Sequence, residues 1–133
     1  DAACGVGTLA ITAGHYGIPH VILNDAWGYA AYWAAVNLDV NRGHLGLDRV
    51  EIHISYADVQ ASPVRTTPQK VADAWGDDRH YEVWWGDLTR LADVLPETVD
   101  LTVIDLFGKK NRVRMADTLR HWKSMIGGEV FIP

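Results

Sequence analysis

The chain has 133 residues, 48% hydrophobic and 22% charged, with 12 Lys and Arg against 17 Asp and Glu. That length supports one domain with one core, and the net charge of -5 excludes a protein that coats nucleic acid over its whole surface. No apolar run approaches the ~20 residues of a membrane span, no secretory leader is visible, and a single cysteine excludes a disulfide framework or a cysteine-rich zinc site. A reducing, cytoplasmic setting with no membrane partner is expected.

In chain order, residues 8–16 read as a helix closed by Gly14 and Gly17. His20-Val21-Ile22-Leu23 is a short apolar run, read as a buried strand that stops at Asn24-Asp25. Residues 26–42 form the clearest helix, with Trp27, Ala30, Ala31, Ala34, Leu38 and Asn41 at spacings of three and four. Val50 to Ser55 alternates with period two and reads as a strand ending near Asp58. Residues 60–67 are rich in Ser, Thr and Pro and read as a loop. Thr67-Pro68 has the form of a helix start and predicts a short helix to about Trp75.

Tyr81 to Trp85 is a further strand, ending at Gly86-Asp87, followed by a helix through about Val94. Leu101 to Ile104 reads as a buried strand that stops at Asp105-Leu106-Phe107-Gly108. A basic amphipathic helix is expected from about Val113 to Met125, and Gly128 to Pro133 carries a last strand pattern. Six of the 12 basic residues fall between Lys109 and Lys123, where Asp117 is the only acid; this segment can meet an anionic partner such as RNA or DNA.

The alternation of strands and helices predicts a three-layer, Rossmann-like α/β fold, a mainly parallel sheet with helices on both faces. The chain opens on a glycine turn with no strand before it and closes on a strand pattern with nothing after it. The expectation is therefore a partial domain spanning 1–133, lacking a first strand and C-terminal strands supplied by flanking regions of the same protein. The span from Val50 to Leu101 is too long for one crossover, which places an insertion within 59–87. In parallel sheets ligands sit at the carboxyl ends of the strands, where Asp25, Asp58 or Asp87, and Asp105 would converge.

Gly5-Val6-Gly7 allows a backbone to approach a ligand closely, and the helix that follows presents free N–H groups to a carboxylate or phosphate. Asp25 lies 20 residues beyond Gly5, where a carboxylate can accept both hydroxyls of a ribose. A nucleoside-containing ligand is expected, either a dinucleotide or a sulfonium nucleoside. Lys and Arg are absent from residues 1–41, which favours the cationic sulfonium over a pyrophosphate.

These residues resemble class I S-adenosylmethionine-dependent methyltransferases. Asp1-Ala2-Ala3-Cys4-Gly5-Val6-Gly7-Thr8-Leu9-Ala10-Ile11 is similar to the family's first motif, Val21 to Asp25 to its ribose-binding strand end, and Asp105-Leu106-Phe107-Gly108 to its fourth motif. Asn37 and Asn41 resemble a pattern common in RNA methyltransferases. The resemblance implies that Asp1, Ala3, Cys4, Gly5 and Gly7 cradle S-adenosylmethionine. It implies that Asp25 holds the ribose, that Ala26 or Trp27 packs on the adenine, and that Asp58 or Asp87 accepts from the adenine amine, Asp58 being slightly favoured.

Asp105 would accept from the target amine and Phe107 would stack on the target base, as in tRNA guanine-N2 methyltransferases, whose motif has a proline where Leu106 stands. Lys109, Lys110, Arg112 and Arg114 would contact phosphates. A small-molecule methyltransferase, an NAD(P)-binding oxidoreductase domain and a noncatalytic module remain as alternatives. Cys4 reads as a small buried residue, and the six histidines show no metal-ligand spacing along the chain.

Overall fold

The computed structural model describes residues 1–95, 98–105 and 127–132. In chain order these form α1 (Thr8–His15), β1 (His20–Asp25), α2 (Gly28–Val40), β2 (Arg49–Ile52), α3 (Tyr56–Ala61) and β3 (Gln69–Trp75). They continue with β4 (His80–Trp85), α4 (Leu88–Leu91), β5 (Leu101–Val103) and β6 (Glu129–Phe131). Phe107, the basic residues Lys109, Lys110, Arg112 and Arg114, and the helix expected over 113–125 lie outside the described residues.

Four strands make one sheet in the order β1-β4-β3-β2, and β5 and β6 form a parallel pair. β1 and β4 are parallel, but β3 is antiparallel to both of its neighbours. This corrects the expected fold class: the sheet is mixed, and helices account for only 28% of the described residues, so the mainly parallel three-layer arrangement is not what forms.

The cause lies in residues 68–75, which are a strand and not a helix. A bulge between Lys70 and Ala72 breaks the two-residue alternation, so Val71 and Ala72 are both buried in succession and the run no longer reads as a strand. Pro68 stands just before the strand, where its missing N–H removes nothing from the ladder. β3 then returns directly into β4 through Gly76-Asp77-Asp78-Arg79, closed by the Gly76 N–H donating to the Arg79 carbonyl at 3.0 Å. A side chain at Gly76 would run into the Gly46 carbonyl, which is why this turn needs glycine. A hairpin connection this short makes an antiparallel pair, not a crossover.

The core lies between α2 and one face of the four-stranded sheet. Ala31, Ala34, Ala35 and Leu38 of α2 meet Leu23, Val71, Ala72, Ala74, Tyr81, Val83 and Trp85, all buried. The alanines let the helix approach the sheet closely, and each fully buried large side chain contributes about 1.5–3 kcal/mol. A second cluster joins Ala2, Leu91, Ala92 and Ile104, with Trp84 and Val130 packed against it, and so ties β5 and β6 to the rest.

The opening residues run between β1 and β5. The Asp1 nitrogen donates to the Ile22 carbonyl at 2.8 Å, and the Asn24 N–H donates to the Asp1 carbonyl at 2.9 Å. On the other side the Ala2 N–H donates to the Val103 carbonyl at 2.9 Å. Among the described residues no helix is long and apolar enough to cross a membrane.

Candidate functional site

The glycine turn leaves the sheet where β1 ends. The Cys4 N–H donates to the Asn24 carbonyl at 2.7 Å, and the Gly7 N–H donates back to the Cys4 carbonyl at 3.0 Å. Gly5 and Gly7 both have positive φ, 55° and 89°, a conformation that side chains with a Cβ rarely adopt. Their surroundings differ. A Cβ on Gly7 would lie 3.2 Å from Leu23 Cδ2 and 3.4 Å from Ala34 Cβ, so this glycine lets α1 close on the core. A Cβ on Gly5 would meet none of the described residues within 4 Å, so they leave the space over Gly5 open. Gly7 is the N-cap of α1 and offers no side-chain cap, which leaves the first N–H groups of the helix to an external acceptor.

Asp25 closes this turn. Its Oδ2 accepts from the Gly5 N–H and its Oδ1 from the Trp27 N–H, each at 2.9 Å. An ionised carboxylate has about four acceptor positions, so two protein bonds leave one on each oxygen, the number a ribose diol requires. Trp27 is 56% exposed and Ala26 is exposed beside it. Asp1 and Ala3 are partly buried, and the Asp1 main chain bonds to β1 rather than lining the cradle.

Asn24 and Asn37 hold the arrangement together. Asn24 is fully buried, and its Nδ2 donates to the Ala2 carbonyl at 3.1 Å and the Gly86 carbonyl at 3.0 Å, joining the opening segment to the end of β4. Asn37 of α2 donates to the Val6 carbonyl at 2.9 Å and pins the tip of the turn. Asn41 bonds back to the Asn37 carbonyl within its own helix.

The two candidate adenine acids separate clearly. β1 and β4 are in parallel register, Asp25 beside Trp85, so the segment that leaves β4 at Gly86-Asp87 departs next to the glycine turn. Asp87 caps α4 through Thr89, whose N–H and hydroxyl both donate to Oδ1 at 2.9 Å. Asp58 does not end a strand. β2 stops at Ile52, and Asp58 sits in the first turn of α3, in a capping box with Ser55. The Ser55 N–H and hydroxyl, donating at 2.8 and 2.9 Å, hold the Asp58 carboxyl below the usual range. The geometry therefore favours Asp87 over Asp58.

Residues 63–67 flank the turn: the Gly28 N–H donates to the Pro63 carbonyl at 2.6 Å, and Trp27 pairs with Val64. Arg65 lies over the Trp85 ring, 5.2 Å from its centre. Cys4 is buried and bonded to no other cysteine. Burial and the Asp25 charge push its thiol up to about 12, so it is no nucleophile. Asp105 is exposed and follows Ile104, whose N–H donates to the Phe131 carbonyl at 3.0 Å. His20, Val21 and Ile22 of β1 and Leu101, Thr102 and Val103 of β5 line one cavity of about 630 Å³, which neither Asp25 nor Asp105 lines.

That cavity borders a second cluster, on the polar face of the sheet. His20 and His80 are paired in register across β1 and β4, with rings 5.0 Å apart and nearly parallel. Glu82 is buried; its Oε2 lies 3.0 Å from His20 Nε2 and its Oε1 lies 3.0 Å from Lys70 Nζ. Asp73 receives His53, Lys70 and His80 at 3.2, 3.3 and 3.3 Å. Burial works to raise the Glu82 carboxyl, but the hydrogen bonds from His20 and Lys70 outweigh it and hold the group below its ordinary range. His20 and His80 are far apart along the chain and meet only through parallel pairing, so spacing in the sequence does not announce them. The period-two placement of His80 and Glu82 is the one sequence feature that puts two of these groups on one face.

Compared with family models, with curated proteins and with solved structures, the chain matches none.

Proposed function

We propose that the chain binds S-adenosylmethionine at the glycine turn and transfers its methyl group to a nitrogen of RNA or DNA. One observation carries this reading: the open, positive-φ Gly5 is bonded through its own N–H to Asp25, beside an exposed tryptophan. This provides an approach for a ligand's backbone-sized part, a diol acceptor and an aromatic surface within one turn. The uncapped start of α1 supplies N–H groups for the carboxylate of the amino-acid moiety.

The bound sulfonium supplies an electrophilic methyl for a single in-line displacement. The chain's own residues orient the reactants, which is where such a reaction gains most of its rate. Asp25 fixes the ribose, Trp27 covers the adenine, and Asp87 accepts from the adenine amine. Asp105, exposed at the end of β5, accepts from the target amine and directs its lone pair. Phe107 stacks on the base and Lys109, Lys110, Arg112 and Arg114 meet phosphates in this reading, which for these five residues rests on the sequence.

Calorimetry with S-adenosylhomocysteine and with NAD tests the cofactor. Binding of the former alone supports the reading; binding of NAD alone, or of neither, overturns it. The nucleic-acid acceptor is tested by replacing Lys109, Lys110, Arg112 and Arg114 with Ala, which should flatten the salt dependence of RNA binding. An unchanged slope removes that acceptor class.

A further inference from the structure

We propose that His20, His80 and Glu82 form a binding site for a divalent transition metal, best matched to Zn²⁺, at the edge of the sheet opposite the glycine turn. The three side chains each offer one ligand atom, and these atoms lie within 4.8 Å of one another. Tetrahedral coordination at about 2.0–2.2 Å needs donors about 3.3–3.6 Å apart, and the His20 and His80 rings, stacked 5.0 Å apart and nearly parallel, must turn for both to face one ion.

Two imidazoles and one carboxylate are a donor set for zinc, cobalt or iron rather than for magnesium or calcium. All three come from paired strands, His20 from β1 and His80 and Glu82 from β4, so their backbone positions are fixed by the ladder. Glu82 is buried, and a buried carboxylate needs a cationic partner. Asp73 Oδ1, 3.3 Å from His80 Nε2, can fix that ring's tautomer from outside the coordination sphere, the usual support for a metal-bound histidine. Three protein donors leave a fourth position for water.

Lys70 distinguishes this proposal from a purely structural ion network. Its ammonium reaches both Glu82 and Asp73, and it also lies 5.3 Å from the centre of the Trp84 ring. It bonds Glu82 Oε1 while His20 faces Oε2, so its charge lies beside the proposed metal position and opposes an arriving cation. A lysine that only stabilised the sheet would have no effect on metal affinity other than through folding. A lysine that competes with the metal makes removal of its charge a gain.

The test is titration of the chelator-treated protein with Co²⁺, followed by its visible absorption, and with Zn²⁺ by calorimetry. A single equivalent should bind with a tetrahedral cobalt spectrum. His20→Ala and His80→Ala should each weaken binding by about 100-fold or more, beyond the 10–100-fold typical of outer-shell changes. Lys70→Met should tighten it by about tenfold, the removal of one nearby like charge. Glu82→Gln, with circular dichroism confirming the fold, keeps the carboxylate's contribution measurable where Glu82→Ala would leave a cavity. Absence of binding, binding that survives both histidine changes, or a Lys70→Met variant that folds yet binds no more tightly overturns the proposal.

Discussion

The Gly5 N–H and the Asp25 carboxylate meet at 2.9 Å across the mouth of the opening turn, and the same carboxylate holds the Trp27 N–H at 2.9 Å. Asp25 therefore shapes the turn as well as presenting acceptors beyond it. The structural and the binding roles can be told apart, because they need different numbers of acceptor positions.

Asp25→Asn keeps one oxygen and replaces the other with a donor. It can satisfy one of the two backbone N–H groups, so folding stability should fall by about 1–2 kcal/mol. Affinity for S-adenosylhomocysteine should fall by more than tenfold, since an amide cannot accept from both ribose hydroxyls. Thermal unfolding and calorimetry read the two effects separately. A variant that loses stability but binds as tightly as the parent would leave Asp25 with only its structural role.

Asp58, slightly favoured by the sequence, and Asp87 should separate in experiment. Asp87→Ala should weaken S-adenosylhomocysteine, while Asp58→Asn should leave it unchanged and disturb only the start of α3. The Asp58 carboxyl titrates below its ordinary value, because Ser55 bonds to the charged form. Its stabilising effect is thus present at neutral pH and is lost as pH falls through that depressed value. Unfolding curves of parent and Asp58→Asn should differ at neutral pH and converge in acid. Equal loss of ligand in both variants would contradict the assignment.

Much of the site was legible because it is local. The turn, β1 and α2 follow one another in the chain, and their glycines, short apolar run and alanine stripe each have a direct backbone consequence. Strand direction was not legible. It depends on how the chain returns after β2, and the bulge between Lys70 and Ala72 hid β3 by placing Val71 and Ala72 in the core together. With β3 read as a helix, a parallel sheet followed; the strand end for Asp58 came separately, from carrying the alternation of Val50 to Ser55 past Ile52, where β2 stops. His20 and His80 show the same limit, since their proximity is a property of register alone. Asn24 was read only as the place where β1 stops, and its link between Ala2 and Gly86 needs three segments in place at once.

Cys4 offers a check on the packing of the turn. Its thiol, buried and next to the Asp25 charge, ionises only near 12. The unfolded chain ionises it at about 8.5. Between these values the unfolded state holds fewer protons, so stability should decline as pH rises through this window. At pH 8 the native thiol should react with a disulfide reagent only as fast as the protein opens, and at full speed in denaturant. Rapid labelling of the native protein would mean that the turn is looser than its hydrogen bonds imply.

The two glycines of the turn should respond differently to the same change. Gly7→Val drives a side chain toward Leu23 Cδ2 and Ala34 Cβ, which already lie 3.2 and 3.4 Å from where its Cβ would stand. It also forces a branched residue to φ near 89°. Overpacking costs about 1–3 kcal/mol and the left-handed backbone about 1–2 more, enough to unfold a marginal domain. Among the described residues, Gly5→Val carries the backbone strain alone, since its Cβ would meet none of them within 4 Å. It should fold, with a modestly lowered Tm, and lose S-adenosylhomocysteine because the valine fills the cradle. Circular dichroism separates the variants and calorimetry completes the comparison. A folded Gly5→Val protein with undiminished affinity would place the ligand somewhere other than over this turn.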